Sequence, residues 1–206
     1  MKRCLILTGG KLSLAFAGSF LEKSKYEKVI AVDGGLEAAK ELGIIPDVIV
    51  GDFDTVRPEI LSYYRKMEHI IWEVHQPEKD DTDTELAIKR ALAMNCSHIT
   101  LLGATGGRLD HMVGNIHLLF PCLQKGTYAE IVDSQNRLYL IDGEHTFRKG
   151  ETWGKYISFL PLTEEVKGIT LRGFKYPLTD RDISIGTSLC ISNELVEEEG
   201  TITFSD

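Results

Sequence analysis

The strongest constraint on this chain is a rhythm that holds for its first two thirds and then stops. Short apolar runs at residues 4–8, 29–32, 48–50, 70–74, 99–102 and 129–132 alternate with longer stretches of helical period. Runs that are apolar throughout, rather than at every second position, predict strands buried on both faces, which means a parallel sheet with helices above and below it. Three of the intervening helices are well marked. After Asp33-Gly34-Gly35, the positions Leu36, Ala39 and Leu42 lead to a stop at Gly43. Thr82-Asp83-Thr84-Glu85 is a capping box, with Ala87, Ala91 and Met94 on one face and Glu85 one turn before Lys89. Leu109, Met112, Val113, Ile116 and Phe120 form a third apolar stripe.

Beyond residue 135 no helical stripe recurs. Segments 137–141, 156–160, 169–171, 183–185 and 201–204 are separated by Gly, Pro, Asn or Asp, the texture of an antiparallel sandwich or barrel. The expectation is an α/β N-terminal domain over 1–135, mostly parallel and Rossmann-like, followed by an all-β sandwich over 136–206.

Composition narrows the function. The 206 residues carry 23 Lys and Arg against 31 Asp and Glu, a formal charge of −8. Such a chain is poorly suited to a phosphate backbone, so nucleic acid is not an expected partner. Cys4, Cys96, Cys122 and Cys190 are scattered, without metal-site spacing, and read as reduced thiols. No run reaches the length of a membrane span and none resembles a signal peptide. These features predict a soluble protein of the cytoplasm.

The unusual polar residues fall where an open parallel sheet binds its ligands, beyond the carboxyl ends of the strands. Asp52 and Asp54, two apart, point the same way in an extended segment, and Mg²⁺ takes such carboxylates together with substrate phosphates. The same pair would also suit a turn that satisfies its own backbone N–H groups. Asp80, Asp81 and Asp83 crowd a helix start, where capping explains some of the charge but not all of it. In Gly103-Ala104-Thr105-Gly106-Gly107-Arg108, the glycines Gly106 and Gly107 could let backbone approach a phosphate, although neither the P-loop nor the dinucleotide fingerprint is present. Arg108, a cation in a first helical turn, opposes the helix dipole unless an anion sits there. His111 and Asn115, one turn apart, could reach the same ligand or simply face water.

Taken in order, Asp33-Gly34-Gly35, Gly51-Asp52-Phe53-Asp54-Thr55, Asp80-Asp81-Thr82-Asp83-Thr84-Glu85-Leu86-Ala87, Gly106-Gly107-Arg108-Leu109-Asp110-His111 with Asn115, and Gly186-Thr187-Ser188 with Ser192-Asn193-Glu194 resemble the thiamin pyrophosphokinase family. The resemblance implies transfer of a pyrophosphoryl group from ATP to the hydroxyl of thiamin, with Mg²⁺ as cofactor and a homodimer sharing the active site. It implies that Asp52, Asp54, Asp80 and Asp83 hold the metal, and that Arg108 and Asp110 act at the phosphates. Asp33, Gly34, Gly106, Gly107, His111 and Asn115 would line the nucleotide site, and Thr187, Ser192 and Asn193 would hold thiamin. The first loop, Thr8-Gly9-Gly10-Lys11, has no clear counterpart in that pattern. Two other readings compete. Val50-Gly51-Asp52-Phe53-Asp54-Thr55 nearly spells the signature of haloacid-dehalogenase-like phosphatases, with Asp52 as nucleophile, and the scaffold could serve as a non-catalytic thiamin or nucleotide sensor.

Overall fold

A computed structural model describes every residue except Pro77, Lys79 and Asp206. Contacts divide the chain into Met1–Leu140 and a second unit that begins at Ile141. In the first unit, β1 (Arg3–Leu7), β2 (Lys28–Val32), β3 (Val48–Gly51), β4 (Ile71–Val74), β5 (His98–Leu102) and β6 (Tyr128–Val132) run parallel. Their order is β4-β3-β2-β1-β5-β6, and β7 (Arg137–Tyr139) closes the edge antiparallel to β6. Residues 137–141, grouped by texture with the sandwich, thus contribute their strand to the first sheet. A tight turn at Asp133 makes this possible: its Oδ1 accepts the backbone N–H groups of Gln135 at 2.8 Å and Asn136 at 2.7 Å.

The apolar runs are continuous because both faces are covered. Along β1, Cys4 and Ile6 belong to a core shared with α4 (Asp83–Ala93) and α6 (Leu119–Gln124). Leu5 and Leu7 belong to the opposite core, shared with α1 (Leu14–Glu22), α2 (Gly35–Glu41) and α3 (Pro58–Tyr64). The caps follow the local chemistry. Thr82 Oγ1 accepts the Glu85 N–H at 3.2 Å, Lys89 pairs with Glu85 at 2.9 Å, and α2 ends at Gly43 with φ +68°. The third stripe, which runs over α5 (Leu109–His117) into α6, departs from expectation. Ile116 packs toward the core, while Leu109, Val113 and Phe120 are exposed, Leu109 at 73%.

In the second unit, β8 (His145–Arg148), β10 (Glu165–Arg172), β11 (Leu178–Ser184) and β13 (Glu199–Ser205) form an antiparallel sheet in the order β11-β10-β13-β8. Two short strands, β9 (Tyr156–Ile157) and β12 (Asn193–Glu194), pair separately. One apolar cluster joins them: Ile169, Leu171, Ile183 and Ile202 from the larger sheet meet Ile157 and Cys190. Phe147, Phe159 and Phe174 contact one another edge to face at 5.7–5.9 Å. No described helix is long and apolar enough to cross a membrane.

Candidate active site at the carboxyl edge of the parallel sheet

From β1 the chain steps outward to β2, β3 and β4, then returns to place β5 on the other side of β1. Connections therefore diverge between β1 and β5, opening a crevice at their carboxyl ends. The loops there are packed backbone against backbone. A Cβ on Gly10 would collide with the carbonyl oxygen of Gly103, and one on Gly35 with that of Leu7. These glycines answer to close packing of chain segments around the crevice.

Three carboxylates meet beside it. Asp33, at the end of β2, adopts the left-handed φ of 42°, and its Oδ1 accepts the Phe53 N–H at 3.4 Å. Phe53 is left-handed too, at φ 65°, and is held by an edge-on contact with Trp72 at 5.4 Å. Gly51 leaves room for the Asp33 carboxyl, which a Cβ there would overlap. Burial raises the Asp33 pKa to about 7, and the neighbouring Asp83 and Asp52 carboxylates push in the same direction. Asp33, Asp52 and Asp83 are brought together from three separate segments.

The rest of the acidic set is more open. Asp52 Oδ1 accepts the Asp54 N–H at 3.1 Å, the local turn that the spacing allowed. Asp54 and Asp80 are exposed, and Asp81 pairs with Lys89 at 2.8 Å. Among the described residues, no group of three or more His, Cys, Asp or Glu side chains is already arranged as a metal cage. The donor set nonetheless suits a hard cation that keeps water and substrate oxygens, because Mg²⁺ needs only one or two protein carboxylates.

On the β5 side, Gly106 (φ +79°) and Gly107 (φ +87°) are exposed, while across the crevice Gly34, after β2, lies against Gly9, after β1. Arg108 caps α5 without a side-chain capping bond. Its guanidinium is paired with Asp110 through Nε at 3.1 Å and Nη2 at 2.6 Å. That hydrogen bond holds the Asp110 carboxyl at about 2. The anion answering Arg108 at the helix start is thus Asp110 itself, so the dipole argument does not by itself require a bound phosphate. His111 is exposed on the next position. Asn115, read from spacing as facing a ligand or water, is buried, and its Nδ2 donates to the Ala104 carbonyl at 2.9 Å. It anchors the glycine loop from beneath.

A second anchor escaped sequence reasoning. Asp133, at the end of β6, accepts Thr105 Oγ1 at 2.8 Å while organising its own turn through Gln135 and Asn136. Its position after an apolar run, followed by Ser-Gln-Asn, was the available signal.

In the second unit, Thr187 is exposed and its Oγ1 accepts the Leu189 N–H at 3.3 Å. Ser192 is exposed at φ 60°, its N–H donating to Ser158 Oγ at 3.0 Å. Asn193 is 2% exposed, and both ends of its amide are occupied. Nδ2 donates to the Tyr176 carbonyl at 2.8 Å, and Oδ1 accepts the N–H groups of Tyr176 at 3.0 Å and Glu194 at 2.9 Å. It braces the turn that carries Ser192.

Residues 20–131 match the family model of the thiamin pyrophosphokinase catalytic domain, and residues 144–206 match that of its vitamin B1 binding domain. A thiamine pyrophosphokinase of Bacillus subtilis (strain 168) is 40% identical over 177 residues, covering 85% of this chain and 82% of that protein. The crystal structure of thiamine pyrophosphokinase from Bacillus subtilis aligns with a TM-score of 0.87 at 34% identity, over 100% of this chain and 95% of that one. That of Geobacillus thermodenitrificans thiamin pyrophosphokinase aligns at 0.84 and 35% identity, over 100% of this chain and 94% of that one.

Proposed function

This chain belongs to the thiamin pyrophosphokinase family, and on that premise we propose that it transfers a pyrophosphoryl group from ATP to the hydroxyl of thiamin. The thiamin hydroxyl oxygen forms a bond to the β-phosphorus while the bond from that phosphorus to the α–β bridging oxygen breaks. The products are thiamin pyrophosphate, AMP and the hydroxyl proton, for which the acidic rim offers acceptors. The reading is carried by the convergence of Asp33, Asp52 and Asp83 at the sheet's ligand-binding edge, in a chain whose two parts match the catalytic and B1-binding models.

Asp52, Asp54 and Asp83, with Asp80, would hold Mg²⁺. When bound, the ion would neutralise phosphate charge and hold the polyphosphate for in-line attack. The exposed Gly106 and Gly107 let phosphate oxygens approach the loop, and Gly34 does the same on the β2 side. Arg108 would turn part of its guanidinium to a phosphate while keeping a bond to Asp110, which would orient it. His111 sits beside them on the rim, and Asn115 holds the loop in place. Thr187 and Ser192 would contact thiamin, with Asn193 fixing the turn beneath.

The exposed Leu109 and Val113, one turn apart on α5, with exposed Phe120 on α6, support a homodimer, since large apolar side chains left in water favour a partner surface. Four buried thiols, all free, support a reducing cytoplasmic setting. The family matches leave the phosphatase and sensor readings without support.

Incubation with thiamin, ATP and Mg²⁺, followed by chromatography, tests the reaction directly. AMP and thiamin pyrophosphate should appear in equal amounts. ADP with thiamin monophosphate, or inorganic phosphate released without thiamin, would overturn it.

A further inference from the structure

We propose that Lys11 is a phosphate-binding residue of this site, meeting the nucleotide's polyphosphate from the β1 side of the glycine loop. The proposal rests on the nucleotide reading above, but the residue comes from the one loop that the family pattern leaves without a role.

The β1 loop is fastened to the end of β5 at Thr8 and packed against the following loop at Gly10. Thr8 donates its N–H to the Leu102 carbonyl at 2.9 Å and its Oγ1–H to the same oxygen at 3.3 Å. Gly10 packs so closely against Gly103 and Thr105 that no side chain fits between them. Lys11 follows immediately, and a Cβ placed on Gly106 would lie 3.1 Å from the Lys11 Cβ. The lysine stem therefore starts beside the exposed Gly106-Gly107 turn, one residue after the closely packed Gly10.

Charge points the same way. A polyphosphate entering this crevice meets Asp33, Asp52 and Asp83 on one side, and the only cation predicted from sequence, Arg108, is committed to Asp110. Lys11 is exposed and forms no ion pair among the described residues. An ammonium on a flexible stem, with three donors, suits phosphate oxygens as a movable point charge. Neighbouring glycines leave the space it would need.

Lys11→Met and Lys11→Arg are to be compared with the parent by calorimetric titration with ATP and with adenosine, and by steady-state kinetics. Losing a charge-assisted hydrogen bond should weaken ATP binding of Lys11→Met by about tenfold or more. Adenosine affinity should stay unchanged, KM for ATP should rise with KM for thiamin held, and Lys11→Arg should keep most of the affinity. ATP affinity of Lys11→Met within about twofold of the parent would overturn the assignment. So would equal losses for ATP and adenosine, which would make Lys11 a support of the fold. If the parent binds ATP but does not convert thiamin, while Lys11→Met still loses ATP affinity, the reaction falls and the Lys11 site stands.

Discussion

Left-handed backbone at Asp33 and Phe53 costs residues bearing a β-carbon on the order of 1–3 kcal/mol each, a cost found where surrounding structure enforces a functional geometry. Here the two strained residues are bonded to each other, Phe53 N–H to Asp33 Oδ1, and together they hold the acidic rim in shape. Asp54 differs from its neighbours in using only its backbone N–H within this turn, while its side chain faces solvent. Asp54→Ala should therefore shift stability by no more than about 0.5 kcal/mol in chemical denaturation. Its pyrophosphoryl transfer should fall by about a hundredfold or more if the carboxylate helps hold the metal against the phosphates. Full turnover with normal Mg²⁺ dependence would remove Asp54 from the metal set.

At the scale of elements, the glycine loop after β5 is a bridge with two piers, Asn115 on α5 below it and Asp133 at the end of β6 beside it. Removing the first pier leaves the Ala104 carbonyl without its amide partner in a buried setting. Asn115→Ala should cost about 1–3 kcal/mol of stability. It should also raise KM for ATP more than KM for thiamin, because the loosened segment is the one proposed to face phosphate. Unchanged melting temperature and unchanged KM for ATP would show that the loop holds itself. α5 also shows how far periodicity reaches: the stripe at Leu109 and Val113 correctly marks a helix, yet these residues are exposed while Asn115 is buried, and Phe120, read as its continuation, lies in α6. Hydrophobic spacing reports the element and not the direction it faces, since one polar residue with a carbonyl to satisfy can take the inward position.

For the molecule as a whole, a buried carboxylate that bears on acid stability lies away from the site, midway along β6. Glu130 is buried on β6, and Oε1 accepts Thr100 Oγ1 at 2.9 Å and contacts His98 Nε2 at 3.1 Å. Oε2 accepts Arg137 Nε at 2.7 Å and the Tyr128 hydroxyl at 3.3 Å, so one side chain ties β5, β6 and β7 together. Burial alone would raise its pKa, but the hydrogen bond from His98, the charge of Arg137 and the remaining bonds outweigh this and bring it from 4.5 to about 2. Because the folded value lies below the unfolded one, the stabilisation is complete above about pH 4.5 and disappears as pH falls toward 2. The shift corresponds to roughly 3 kcal/mol. Unfolding free energy should fall with pH across that window in the parent, and the slope should be flatter in Glu130→Gln. Parallel slopes would show that Glu130 is not the group responsible.

The sequence alone was sufficient for the kind and order of the parallel strands and for the helix after Thr82: the six strands lie within a residue or so of their apolar runs, and that helix begins at its capping box, whereas β8 and β12 lie outside the segments that its texture marks. These are local properties, set by periodicity and by caps that span one turn. The ordered acidic and glycine motifs likewise carried the family resemblance, because each motif is a contiguous stretch. The tertiary structure alone decided what those residues do to one another. Asp33, Asp52 and Asp83 become neighbours only through the strand order and the crossovers that bring their loops to one edge. Arg108 turned out to have a partner two residues away, Asn193 to be consumed by the backbone of Tyr176, and Asp133 to support a loop 28 residues earlier. Burial and pairing depend on distances between segments remote in the chain, and those distances exist only once the sheet has assembled.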